Sequence, residues 1–454
     1  MHMQPNLKAS AFVTPYLKSY QGINFKLLLV LILTSLIPLI YSTTRIHFLG
    51  DIPNPWAFSI AAQVAWLNVI YEVLSEALLL PLAFIFGQVI REPKKYNVRL
   101  SIGLTIVVMA YASVTITVIT LAPQMVVAMQ QQAALIEQTV SYIRLESIAI
   151  LLSSVFSFAS LVLILKNKQK LIYQLLLIQT LLTLLCDNVF VSQLPFSLNL
   201  GVNGIAWTNI IVSLVLSSVA ILYLTSKGLS LRRIQFNQQP WLTTWLRVGA
   251  KSGLESLVRN TAFVVMILQL VNQVQQAGVF WLANQFIWGW LLLPILALGQ
   301  LVKRDAANNG GLSKDKVNSY MGIVVVFVCG WLGSMPAWQP FIEHVMGVSQ
   351  SQAVTKLVLL MLGFYIVFAF NHVIDSYFYG IGRTDLMLYQ SLIVNTGFYG
   401  SAFMAYQMGW FVPSLDKIAI MFGLGITIDA IITAYLYYRL TKARAPNMTN
   451  ILVR

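Results

Sequence analysis

Carboxylates recur in this chain inside stretches so apolar that lipid would exclude a charge. Glu72 and Glu76 stand four residues apart in YEVLSEALLLPLAFIF (71–86). Glu146, Asp187, Glu255, Asp375 and Asp429 lie in further apolar runs, with Arg259 and His372 among them. An ionised group at the centre of a bilayer costs at least about 2.5 kcal/mol, so such residues face a bundle interior or a watery cavity. A spacing of four puts Glu72 and Glu76 on one helix face. Two carboxyls this close in a weak dielectric repel when both are ionised. The chemistry on offer is therefore uptake and release of a proton or a small cation. The competing account is a static salt bridge, with Arg45 or Arg144 as partner. Glu255 and Arg259 are also at i and i+4, in the favourable acid-first orientation for a mutual ion pair. Asn371, His372 and Asp375 in FNHVIDSYFYG form a second polar group in the C-terminal half, while Asp429 reads as peripheral.

Aromatic residues accompany these acids. Trp281, Trp288 and Trp290 flank Gln285, and Tyr377, Phe378 and Tyr379 follow Asp375. Rings with scattered carboxylates suit flat lipophilic cations through stacking and cation–π contact. The same residues serve equally as packing and as interfacial anchors.

The elements that must position these groups are membrane-crossing helices. Of 454 residues 58% are hydrophobic and only 10% charged, whereas soluble domains carry about 25% charged residues. Apolar runs long enough for a ~30 Å hydrocarbon core recur from end to end. Twelve spans are expected near 24–44, 57–89, 100–126, 139–165, 171–193, 202–225, 244–273, 277–302, 318–345, 354–380, 385–411 and 417–438. The fold class is thus an all-α polytopic membrane protein. With both chain ends on one side, most of the 29 basic residues gather there, among them Lys94, Lys95, Arg99, Lys166, Lys168, Lys170, Arg232, Arg233, Lys303 and Arg304. That bias places the termini in the cytoplasm and accounts for the net charge of +14 without nucleic acid. The two cysteines, Cys186 and Cys329, fall within spans and support neither a disulfide framework nor a thiol metal site. Residues 1–22 lack an apolar signal core and read as a short cytoplasmic tail.

The polar segment 226–241 lies near the midpoint and reads as a linker between halves 1–225 and 242–454. Tyr173-Gln174 matches Tyr389-Gln390 and Ile205-Ala206 matches Ile418-Ala419 at nearly constant offset. Parallel repeats of six helices about an axis along the membrane normal follow, an arrangement of transporters that bind substrate between two lobes.

Several stretches resemble the multidrug and toxin extrusion (MATE) transporters of the MOP flippase superfamily. LLCDNVFVSQLPFSLNLGVNGIAWTNIIVS (184–213) is similar to the family's acidic residue on helix five, aromatic, short loop and Gly-Val-x-Gly-x-Ala opening of helix six. WLRVGAKSGLESLVRNTAF (245–263) resembles the seventh-helix opening with the DinF-like Arg at Arg259, and VFWLANQFIWGWLLLPILALGQ (279–300) the eighth helix with its Ala-x-Gln at Ala283 and Gln285. YGIGRTD (379–385) resembles the turn after helix ten. Three positions depart from the pattern: Arg45 stands where helix one commonly has Asp, Thr183 where helix five has Asn, and Lys251 where helix seven opens with Pro.

The resemblance implies two six-helix lobes and a secondary antiporter in the cell membrane, exporting an organic, cationic or amphiphilic compound in exchange for H⁺ or Na⁺. It implies a coupling and substrate cavity in the N-lobe at Glu72, Glu76, Asp187, Glu146, Arg45 and Thr183. In the C-lobe it implies one at Glu255, Arg259, Gln285, Asn371, His372, Asp375, Trp281 and Trp288, with Na⁺ between Glu255 and Asp375. No cofactor beyond the coupling ion and no partner beyond the bilayer and substrate are expected, and the chain is expected to act as a monomer. The alternative is a flippase for a lipid-linked saccharide or another anionic amphiphile, which Arg45, Arg144 and Arg259 would suit. The chain has no GxxxxGK[ST] phosphate loop for ATP hydrolysis, and no clustered metal-ligand spacing that would point to an enzyme.

Overall fold

The computed structural model describes residues 20, 22–54, 56–166, 168–226, 240–308 and 311–449. Residues 227–239 of the expected linker and nearly all of the expected N-terminal tail lie outside them. The described chain is all-α, with no strand among the described residues. Twelve helical segments follow one another: α1 (Phe25–Gly50), α2 (Ala57–Gly87), α3 (Pro93–Ala128), α4 (Ala133–Leu165), α5 (Lys170–Phe190), α6 (Val202–Ser226), α7 (Pro240–Gln273), α8 (277–308), α9 (Lys314–Val345), α10 (Ser351–Gly380), α11 (384–407) and α12 (Leu415–Thr449). Ten are long and apolar enough to cross a membrane among the described residues, and α8, bent by 53° between Leu291 and Leu293, makes an eleventh if its two arms form one span. The run α11 is not among these; it carries a π-helical stretch, Ile393–Tyr399.

Local sequence sets the helix ends. Asn24 caps α1 by accepting from the Leu27 amide, Pro93 opens α3 where its missing N–H costs nothing, and Ser313 caps α9 through the Lys316 amide. Gly382, at φ +73°, closes the turn between α10 and α11, a backbone that favours glycine. Within the helices, backbone groups bond to one another, the condition for lying in lipid. Large apolar side chains point outward along α1 (Leu29, Val30, Leu33, Ile37, Ile40) and α5 (Leu177, Leu181, Leu185), as a lipid-facing surface requires.

The α3, α4 and α6 helices pack as the centre of the N-terminal half, and α8, α10 and α12 as that of the C-terminal half. The halves meet along two seams. On one, α2 runs against α7; on the other, α1 lies against the second arm of α8 while resting on α5. The first turns of α2 and α8 also cross, with Ser59 against Gly278. The α2–α7 approach depends on a missing side chain, because a Cβ on Gly249 would collide with the Ala77 carbonyl. Trp245 Nε1 then donates to the Leu78 carbonyl at 3.0 Å. Gly249→Val is expected to destabilise the protein by about 1–3 kcal/mol, the usual cost of overpacking. Thermal unfolding in detergent measures it, and an unchanged midpoint would contradict the packing described.

Candidate functional site

Three clusters of charged and polar side chains lie between these helices. In the first, Arg45 of α1 makes a two-pronged contact with Asp187 of α5, Nε to Oδ2 at 2.8 Å and Nη2 to Oδ1 at 3.2 Å. Arg45 Nη1 also donates to Asn209 Oδ1 at 3.0 Å on α6, and Asn209 Nδ2 donates to Glu146 of α4 at 2.8 and 3.1 Å. Glu146 thus meets the guanidinium through an amide. Asp187 is 1% exposed, and Thr183 is buried one turn before it. A charge so deeply buried needs the paired fork that Arg45 supplies.

The second cluster bridges the halves. Arg259 of α7 holds Glu72 at 3.1 Å and Glu76 at 2.9 Å on α2, and Glu255 on its own helix at 3.3 Å. It is half-buried, with Glu72 the most exposed of the four. The sequence raised Arg45 or Arg144 as partners for Glu72 and Glu76; the structure gives them Arg259 instead. Helix packing is the reason: α1 carries Arg45 to α5, whereas α2 runs along α7. Arg144 donates to the Ile119 carbonyl at 3.1 Å. The i, i+4 pair of Glu255 and Arg259 is present as read.

The third cluster joins α10 to α12. Asn371 Nδ2 donates at 3.0 Å to Asp375 and at 3.0 Å to Asp429, and Thr433 donates to Asp375 at 3.3 Å. Asp429, set aside as peripheral from the sequence, is therefore a central member. Glu255 and Asp375, between which Na⁺ was expected, take separate partners, Arg259 and the α12 group. No group of three or more His, Cys, Asp or Glu fit to hold a metal occurs among the described residues. His372 stacks on Phe368 with ring centres 5.6 Å apart and fills the space that Gly299 leaves.

The aromatic residues are engaged with one another. Trp288 Nε1 donates to the Tyr365 hydroxyl at 3.2 Å, which donates to Asn284 at 3.3 Å, and Phe368 meets Trp288 edge-on. Trp281 lies 6.3 Å from Phe58 across the halves. It lines a cavity of about 80 Å³ with Gln63, Trp66, Phe263, Asn272 and Asn284. Gln285 is half-buried one turn away on α8. Gln63 and Asn272 close one side of the cavity by exchanging amide hydrogen bonds at 2.8 and 3.1 Å. Sequence reading missed Gln63, Asn209, Asn272, Gln390 and Thr433. Each is a polar residue inside an apolar helix, a signal that acids and bases overshadow.

An apolar helical bundle with ionic clusters between its helices defines a polytopic membrane protein. No family model matches the chain, and no curated protein does. Solved structures do. A multidrug resistance MATE transporter of the MOP superfamily in its inward-facing conformation aligns with TM-score 0.75 and 15% identity, over 90% of this chain and 95% of that one. A point mutant of the Vibrio cholerae MATE transporter VcmN gives TM-score 0.65 and 14% identity over 92% and 96%. A MOP superfamily transporter from Pyrococcus furiosus, described by the reverse polarity of its binding pocket, gives 0.61 and 17% over 93% and 97%. The chain has the fold of the MATE transporters of the MOP superfamily.

Proposed function

We propose that the chain is a secondary transporter in which lobes 1–225 and 242–454, joined by the linker 226–241, rock about their two seams to export an organic cation or cationic amphiphile. Exchange for H⁺ or Na⁺ across the cell membrane provides the drive. One observation carries the choice of substrate charge: each of the three clusters holds more carboxylates than guanidinium groups. There are two to one around Arg45 and three to one around Arg259, and two carboxylates with no guanidinium between α10 and α12. Such a surplus attracts cations and repels anionic headgroups. Of Arg45, Arg144 and Arg259, on which the anionic flippase reading depended, Arg45 and Arg259 are occupied by carboxylates of the chain itself, while Arg144 donates to a backbone carbonyl. The reading of Asp187, Glu72 and Glu76 as free titrating groups changes accordingly. In the N-terminal half Glu146 takes that role, because it meets Arg45 only through Asn209.

Proteoliposomes with an imposed pH or Na⁺ gradient and a fluorescent lipophilic cation test this reading. Wild type is expected to show gradient-driven counterflow, and Glu146→Gln is expected to lose ten-fold or more of the coupled rate while keeping its unfolding midpoint. Movement of a lipid-linked saccharide with no cation transport would replace the reading with the flippase. Undiminished coupled transport in Glu146→Gln would remove the role given to that residue.

A further inference from the structure

At the end of the bundle where α2, α8 and α10 begin, the two halves enclose a cavity of about 340 Å³. Residues between Leu49 and Ser59 line it from one half, and the α7–α8 and α9–α10 turns from the other. No charged side chain lines it among the described residues. Its polar side chains are short of partners. Ser59 is only 9% exposed, and its hydroxyl makes no hydrogen bond among the described residues. The same holds for the side-chain amides of Gln275, Gln276 and Gln350. A hydroxyl so buried, on the wall of a cavity, calls for a partner inside it.

Local sequence points the same way. Gln276 and Gln350 are the N-cap residues of α8 and α10. Ser, Thr, Asp or Asn at these positions would bond the free amides of the first turn, and neither glutamine does so. Gln275 holds a left-handed backbone, φ +56°, which few residues besides glycine, asparagine and aspartate adopt. Three glutamines thus stand where the backbone would prefer other residues, and all three border one cavity. Trp56, 39% exposed, adds an indole to the lining.

We propose that this cavity binds a small uncharged saccharide. A sugar carries hydroxyls that both donate and accept, which side-chain amides and hydroxyls match. Its C–H face packs on an aromatic ring such as that of Trp56. A few polar groups set in a concave site of ~300–1,000 Å³ is the usual construction for a small molecule. Charge decides against the other ligand classes. The positive ends of α8 and α10 meet the cavity at their cap residues and disfavour a cation. Carboxylates beside it disfavour an anion: Glu343 accepts from Ser351 Oγ at 3.2 Å in the first turn of α10, and Asp51 lies between the lining residues Gly50 and Ile52. A neutral ligand uses the free amides as they stand. Because both halves supply the lining, it would favour the arrangement of them that encloses the cavity. None of the three charged clusters borders this site, and binding here does not rest on the transport reading.

The test is equilibrium binding of radiolabelled maltose and glucose to the full chain in phosphatidylcholine nanodiscs, which avoid sugar-headed detergents. Gluconate and tetramethylammonium serve as charged competitors. Saturable binding of at least one sugar is expected, with neither ion displacing it. Trp56→Ala and Gln350→Leu, both at exposed positions, are each expected to raise the half-saturating concentration about ten-fold or more. Trp410→Ala, which removes an 81% exposed indole outside the cavity, is expected to leave it unchanged. Dodecyl maltoside, added below its micelle-forming concentration, tells the two sources of a sugar apart: competition upholds the site for a glycolipid headgroup, and lack of competition upholds it for a free sugar. No saturable sugar binding in wild type, displacement by either ion, or binding that survives both substitutions unchanged overturns the site. Sugar binding in a protein that moves no cation would uphold the site and count only against the proposed function.

Discussion

Replacing Arg45 by glutamine is expected to be among the most damaging single changes in this protein. The substitution strips both hydrogen bonds from Asp187, whose carboxylate is 1% exposed. Removing one partner of a buried pair typically costs about 3–5 kcal/mol, because the remaining charge stays out of water without compensation. The Asn209 contact goes too, and with it the link to Glu146. The expected outcome is a protein that unfolds well below the wild-type midpoint in detergent or fails to accumulate in the membrane. Asp187→Asn introduced alongside Arg45→Gln is expected to recover most of the loss, since two neutral amides can bond to each other at the same spacing. A single mutant as stable as wild type, or a double mutant no better than Arg45→Gln alone, would show that the pair does not organise the N-terminal half.

Arg259→Gln should act on conformation rather than on folding. Three carboxylates from α2 and α7 converge on this guanidinium, and without it Glu72, Glu76 and Glu255 face one another across the seam. The cluster is partly exposed, so water screens the repulsion and each pair is worth well under its buried value. A shift of about 1.4 kcal/mol suffices to change the ratio of two lobe arrangements ten-fold. Spin labels on either side of the seam, in a background lacking Cys186 and Cys329, would read that change as a redistribution of distances. The double substitution Glu72→Gln with Glu76→Gln should oppose it by removing the repulsion. An identical distance distribution in wild type and Arg259→Gln would mean that the ionic bridge does not bias the lobes.

Much of the architecture was legible from hydropathy alone. The apolar runs read as spans fall in order on α1 to α12, of which ten, or eleven with the bent α8 as one, are long and apolar enough among the described residues to cross a membrane. A chain in lipid must satisfy its backbone within each helix, which makes such stretches readable. The pair Glu255 and Arg259 was legible for a related reason: four residues along one helix fix their separation whatever the rest of the chain does. The burial of Asp187 was legible from its apolar surroundings, though its partner was not.

Partnership between helices had no such signal. Arg45 and Asp187 are 142 residues apart, and their meeting depends on which helix packs beside α1 and how each is rotated. Glu72 and Arg259 are separated by 187 residues, and only the α2–α7 seam decides that they are neighbours. Asp429, on the last helix, was read as peripheral to transport, and only packing shows that α10 brings Asn371 and Asp375 to it. Sequence alone determined that this is a polytopic helical membrane protein with buried charges, since transfer to lipid is a property of each stretch by itself. Tertiary structure decided which charge answers which, since an ion pair between helices is a property of their packing and belongs to neither one.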